Sequence, residues 1–313
     1  MKVNLIFLSL IAIILLVILT EIILRITVGL GNPLLYIADP EIGYLIAPNQ
    51  KTRRHGNLIE INQYSMRNKP INQTRDNDTF RIFLIGDSIA NGGWWTDQNK
   101  TISALLEQQL SGNISNFSHL EVLNASANSW SPRHELAYLK KFGTFDAQII
   151  ILLLNTDDFF GLQPSSLVVG NDSNYPDKKP VLACQELWEK VTPNKSNKII
   201  NNKPKEKGDL VGKNLNSIIQ IKAIAHQNKA QLILGITPLK REVIPPYSRD
   251  FEKKARTRLE QLATNQNIVY VDFLPIFQQQ ENPESLYHDH IHLSDRGTKL
   301  VSKILGETIK FTP

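Results

Sequence analysis

This sequence predicts an α/β protein: a five-stranded parallel sheet covered on both faces, preceded by a transmembrane helix. Three observations carry that expectation. Strand-like runs at 79–85, 120–124, 147–154, 231–237 and 268–273 alternate with helix-like segments, the pattern of parallel strands joined by crossover helices. The run from Ala147 to Leu154 is apolar almost throughout, as a strand buried on both faces must be. From Val3 to Thr20 there is no charged residue at all.

That first segment comes first in the chain and stands apart from the rest. As a helix, residues 3–20 span ~27 Å, close to the hydrocarbon thickness of a bilayer. The run is longer than the apolar stretch of a signal peptide, about 7–15 residues, and no small-x-small cleavage pattern follows closely. A buried core helix would show a polar stripe. Residues 1–25 therefore read as an uncleaved anchor in preference to a cleaved signal. Lys2 ahead of the span and Arg25 behind it give a weak orientation signal. With so short a head, the body is expected outside the cytoplasm, in a periplasm-like space.

Residues 26–75 read as a connecting region, punctuated by Pro33, Pro40, Pro48 and Pro70 and without sustained periodicity. The body occupies 76–313. Its helices are expected at 101–110, at 132–142 with Ser131 as cap, at 210–228, 248–265 and 294–311. Between the third strand and the 210–228 helix, residues 160–208 form an insertion rich in Asn, Lys and Pro. It is too long for an ordinary loop and reads as a lid or binding arm.

Composition narrows the class. The apolar share of 42% and charged share of 21% are those of a globular chain. A single cysteine, Cys184, excludes an intrachain disulfide. The net charge of +5 is mild. Lys178–Lys179 and the lysines of 203–207 lack interleaved aromatics, so no nucleic-acid groove is expected. Anionic headgroups or acidic glycans suit this charge better.

Two short motifs carry chemistry. Gly86-Asp87-Ser88 follows the first strand, where functional groups of a parallel sheet gather. These residue types also make plain turns. A helix opening there would offer free N–H groups to an oxyanion. Far along the chain, Asp289 precedes His292 by three residues in a loop before the last helix. A serine hydroxyl needs a base, and the base needs a carboxylate to hold its tautomer. His288 and His290 compete for the same roles. A metal set of His288, Asp289, His290 and His292 is conceivable. No further ligand cluster accompanies it, so neither a metal nor a cofactor is expected.

Gly86-Asp87-Ser88 taken with Asp289-x-x-His292 resembles the SGNH hydrolase superfamily of GDSL-type esterases and lipases, over roughly residues 78–311. The resemblance implies a three-layer α/β/α fold with a flavodoxin-like sheet, and hydrolysis of esters of lipids, small acyl groups or acetylated sugars. It implies Ser88 as nucleophile, His292 as base and Asp289 as its orienting carboxylate. Asp39 to Tyr44, and Ile61-Asn62-x-x-Ser65-Met66-Arg67, look like the prelude of membrane-anchored bacterial members.

Two positions depart from the family pattern. Ser129, within Asn124 to Trp130, stands where the family has a glycine whose N–H serves the oxyanion hole. In Asn155-Thr156-Asp157-Asp158, Asp157 falls where the family carries an oxyanion-binding Asn. A carboxylate there would repel an oxyanion, unless it is protonated or Asn155 takes its place. The expected substrate is an O-acyl ester of a glycan or lipid at a membrane. Acyl transfer to a polysaccharide by the same triad is the alternative, and an inactive binding protein of the same fold is the third reading.

Overall fold

The computed structural model of the chain describes residues 2–112, 117–192 and 206–310. Helix α1 (Lys2–Ile23) continues through a wider turn, Leu24–Val28. The stretch Leu5–Val28 is long and apolar enough to cross a membrane, with mean hydropathy 3.0. Its apolar side chains are exposed.

The region 26–75 holds more structure than its sequence suggests. It contains two antiparallel hairpins, β1 (Tyr36–Asp39) with β2 (Gly43–Ile46), and β3 (Gln50–Arg54) with β4 (Asn57–Ile61). Each strand has only four or five residues. That is too few for alternation to stand out between prolines. Their core residues, Tyr36, Tyr44, Ile46, Ile59 and Ile61, join one of the two main hydrophobic clusters.

The main sheet comprises β5 (Thr79–Gly86), β6 (His119–Ser126), β7 (Ile149–Asn155), β8 (Gln231–Thr237) and β9 (Val269–Asp272). All neighbours are parallel, in the order β6-β5-β7-β8-β9. This is the flavodoxin-like order, and each strand lies at its expected place.

Side-chain alternation divides the core into two layers. Phe83, Ile85, Leu152 and Leu154 face helices Pro132–Phe142, Leu210–Gln227 and Asp250–Asn265. Ile82, Leu84, Ile151 and Leu153 face Ile102–Leu110 and Asp295–Thr308. Helices thus cover both faces of the sheet. Within the insertion, the described residues include one α-helix, Ala183–Val191. The stretch 193–205 lies outside the described residues.

Candidate active site

The carboxyl ends of β5 and β7 meet at the topological switch point of the sheet, where open α/β folds place their sites. β5 ends at Gly86. A Cβ added there would lie 2.4 Å from the Leu153 carbonyl oxygen and 3.0 Å from the Ala90 Cβ. Glycine therefore lets the turn into the following helix press against β7. Asp87 caps that one-turn helix, Ser88–Asn91, by accepting from the Ile89 N–H at 2.8 Å. Ser88 is the first helical residue.

The loop before the last helix brings the second motif over Ser88. The Ser88 Oγ lies 3.0 Å from Nε2 of His292, and the Nδ1 of His292 lies 2.7 Å from Asp289 Oδ2. The other Asp289 oxygen accepts from the N–H groups of Ile291 and His292 at 2.9 and 2.8 Å. Burial alone would push the Asp289 carboxyl up. The bonds from His292 and Ile291 outweigh it and hold the group at about 2. An ionised Asp289 assigns the imidazole proton to Nδ1, so Nε2 is free to accept from Ser88. The three histidines do not converge. His288 stacks on Trp95 with ring centroids 5.1 Å apart, and His290 is exposed.

Of the oxyanion candidates, Ser129 lines the same cavity as Ser88 and His292. It adopts φ 57°, the left-handed region that a glycine takes easily and a serine takes at a cost. Its side chain accepts from the Tyr175 hydroxyl at 3.0 Å. Among the described residues its N–H has no acceptor. Asn155, the last residue of β7, is buried and donates its amide to Asp87, next to Ser88. Its carbonyl oxygen accepts from the Asp157 N–H at 2.7 Å. Asp157 itself is exposed and faces the charges of Arg241, Glu252 and His290. The structure thus brings Asn155 beside the Ser88 turn and leaves Asp157 outside it. β7 ends at Asn155, and the 3₁₀ turn Thr156–Phe160 that follows it carries Asp157 to the surface.

Behind Ser88 lie three buried carboxyls, Asp87, Asp158 and Glu135. Burial pushes Asp87 up, to about 6, against the Ile89 N–H, His292 and Asn155, which pull it down. Burial and mutual repulsion raise Asp158 and Glu135 well above the usual carboxyl range. Among the described residues neither Glu135 carboxyl oxygen has a hydrogen-bond partner, whereas Asp158 accepts from the Asn155 N–H at 2.8 Å.

Sequence reasoning does not reach Trp95, whose ring sits 4.5 Å from that of His292. The available signal was two tryptophans directly after Gly92-Gly93, four to seven residues beyond Ser88. Nor does it reach the buried Arg67, whose guanidinium donates to the carbonyls of Asn91, Gly93 and Thr96 and so holds the Trp94–Trp95 loop. A cavity of about 850 Å³ opens in front of Ser88. Trp94, Trp95, Asn128 and Ser129 line it at one end, and the insertion, including Lys178, Lys179, Val181, Gln185 and Glu189, lines the other.

A profile described as the GDSL-like Lipase/Acylhydrolase family matches residues 84–300. Solved structures similar in fold include a member of the lipolytic protein G-D-S-L family from Veillonella parvula, at 13% identity, covering 74% of this chain and all of that one, TM-score 0.45. Another is a lipase/acylhydrolase from Enterococcus faecalis, at 13% identity, covering 73% and 94%, TM-score 0.45. A third is Axe2, an acetylxylan esterase from Geobacillus stearothermophilus, at 14% identity, covering 74% and 95%, TM-score 0.49. No curated protein sequence matches the chain.

Proposed function

Because the chain belongs to the GDSL-like lipase/acylhydrolase family and is an ester-bond hydrolase, we propose that it cleaves O-acyl esters of glycans or lipids through an acyl-enzyme on Ser88. The observation that carries this reading is the continuous line from Asp289 through His292 to the Ser88 hydroxyl.

In the first half-reaction the Ser88 Oγ attacks the ester carbonyl and its proton passes to His292 Nε2. Ionised Asp289 stabilises the imidazolium that forms. Negative charge on the carbonyl oxygen is met by the N–H groups of Ser88 and Ser129 and by the second amide hydrogen of Asn155, the first being held by Asp87. The C–O bond to the alcohol then breaks, and the alcohol leaves with the proton from His292. Water next attacks the acyl-enzyme, giving a proton to His292, and the acid departs as Ser88 recovers its hydrogen.

The left-handed backbone at Ser129 supports its N–H as a donor. The neutral character that burial favours for Glu135 and Asp158 keeps uncompensated charge away from the oxyanion. We place the body on the extracytoplasmic side. Lys2, the one charged residue ahead of the uncharged run, gives that end the kind of positive charge retained on the cytoplasmic side.

The test is labelling of the full chain with a fluorophosphonate probe. The wild type should react and Ser88→Ala should not. Hydrolysis of p-nitrophenyl esters that persists in Ser88→Ala would remove this serine from the reaction.

A further inference from the structure

The insertion helix Ala183–Val191 carries its apolar stripe on the wrong side for a soluble protein. Its inward face holds Ala183 and Glu186, both buried. A second face, Gln185 and Glu189, lines the cavity in front of Ser88. The remaining face holds Cys184, Leu187, Trp188 and Val191, at the i, i+3, i+4, i+7 spacing of an amphipathic stripe. It points outward: Trp188 is 68% exposed and Val191 69%. Just before the helix, Val181 is 83% exposed and Leu182 49%. A stripe of that spacing normally faces a core.

The position of the helix explains the inversion. Its first N–H groups, those of Ala183 and Cys184, donate to the Glu21 carboxylate at 2.7 and 3.1 Å. Arg25 donates to the Val181 carbonyl at 2.8 Å and to Glu21 at 2.7 Å. Glu21 and Arg25 are the first charged residues after the uncharged run of α1. Residues 3–20 already account for ~27 Å of helix, close to the hydrocarbon thickness. The two charges therefore sit at the boundary where the anchor leaves the bilayer, and the insertion helix is bonded to them. Its exposed apolar face therefore belongs to a helix that starts beside the end of the membrane-spanning run. Tryptophan is the residue that favours this depth. Lys178 and Lys179, exposed on the cavity wall beside this helix, suit anionic headgroups.

We propose that the outward face formed by Leu187, Trp188 and Val191, with Val181 and Leu182, lies in the interface of the same bilayer that α1 spans, so that the cavity before Ser88 opens at the membrane surface and receives an acyl ester carried by a molecule held in that bilayer. The interfacial placement stands by itself; the choice of substrate rests on the esterase reading.

Depth is measured on the full chain in phosphatidylcholine–phosphatidylglycerol vesicles. A nitroxide is attached at position 188 in Trp188→Cys with Cys184→Ser, and at position 307 in Glu307→Cys with Cys184→Ser. For a side chain seated ~5–10 Å into the headgroup–acyl boundary, the ratio of oxygen to nickel-chelate collisions at 188 is expected to exceed that at 307 about tenfold. Equal ratios overturn the placement. Substrate access is measured with Leu187→Glu plus Trp188→Glu, neither of which lines the cavity. Hydrolysis of an acyl ester embedded in the vesicles should fall about tenfold or more while p-nitrophenyl acetate turnover is unchanged, since two charges now oppose interfacial burial. An equal effect on both esters, or none on either, overturns the membrane-facing entrance. If the unaltered protein cleaves neither ester, the esterase reading fails, and the collision ratio still decides the placement.

Discussion

The amide of Asn155, at the end of β7, donates to the carboxylate of Asp87, the residue before Ser88 at the end of β5. This bond spans the switch point of the sheet and ties the Ser88 turn to the end of β7. It also makes Asn155, not Asp157, the polar side chain beside the reacting centre.

Asn155→Ala should lower kcat by about 10²–10³, the range commanded by one oxyanion donor. Asp157→Asn should leave kcat within about a factor of two, as surface changes usually do. The measurement is steady-state hydrolysis of p-nitrophenyl acetate by both variants. A rise of an order of magnitude in Asp157→Asn would return that residue to the oxyanion hole.

Asp289 stays ionised down to about pH 2 because the bonds from His292 and Ile291 overcome its burial. Loss of its proton therefore does not shape the acid limb of the rate profile above that pH. Asp289→Asn should lower kcat by about 10⁴, through the wrong imidazole tautomer rather than through lost geometry. A pH–rate profile of the variant from pH 5 to 9 should show no region where the wild-type rate is recovered.

Glu135 is buried with no partner for either oxygen among the described residues, and burial followed by the charge of Asp87 raises its folded pKa. The unfolded chain releases this proton in the ordinary carboxyl range, while the folded chain keeps it to higher pH. Between those two points the unfolded state binds fewer protons, so stability falls as pH rises. Glu135→Gln removes that dependence. It should raise the melting temperature more at pH 8 than at pH 5. Thermal melts at the two values test this, and a gain that is larger at pH 5 would contradict it.

Arg54 and Glu186 form a buried ion pair at 2.5 Å that joins the second hairpin to the insertion helix. Glu186 also accepts from the Gly31 N–H at 2.7 Å. Glu186→Ala leaves a buried guanidinium unpaired and should cost about 3–5 kcal/mol. Arg54→Met with Glu186→Leu should lose less than either single change, measured by denaturant unfolding in detergent.

The sheet was legible because strand-like apolar runs alternate with helix-like segments, and the site because Gly86-Asp87-Ser88 follows the first of those runs and Asp289-x-x-His292 precedes the last helix. What escaped has one physical cause. Arg67, Trp95 and Glu186 act through contacts distant in sequence, which no local period reports. The hairpins of 36–61 escaped because strands of four and five residues leave no readable alternation. Between the two candidates that follow this strand, Asn155 and Asp157, the sequence alone leaves the choice open, because it depends on where β7 stops. Strand ends are set by the packing of the following turn rather than by composition.

The guanidinium of Arg67 has a consequence for where the hydrolase can be cut. Its three carbonyl partners, Asn91, Gly93 and Thr96, belong to the stretch that leads from Ser88 past Trp95, whose ring packs against that of His292. A fragment starting at the first sheet strand would keep Ser88, Asp289 and His292 and lose the post to which that stretch is tied. Such a fragment would retain a sheet and a serine but present three unclaimed carbonyls and a loop with no fixed shape. The smallest transplantable unit is therefore not the sheet with its helices. It begins upstream of Arg67, and a chimera that replaces the stretch before the first sheet strand has to keep this arginine.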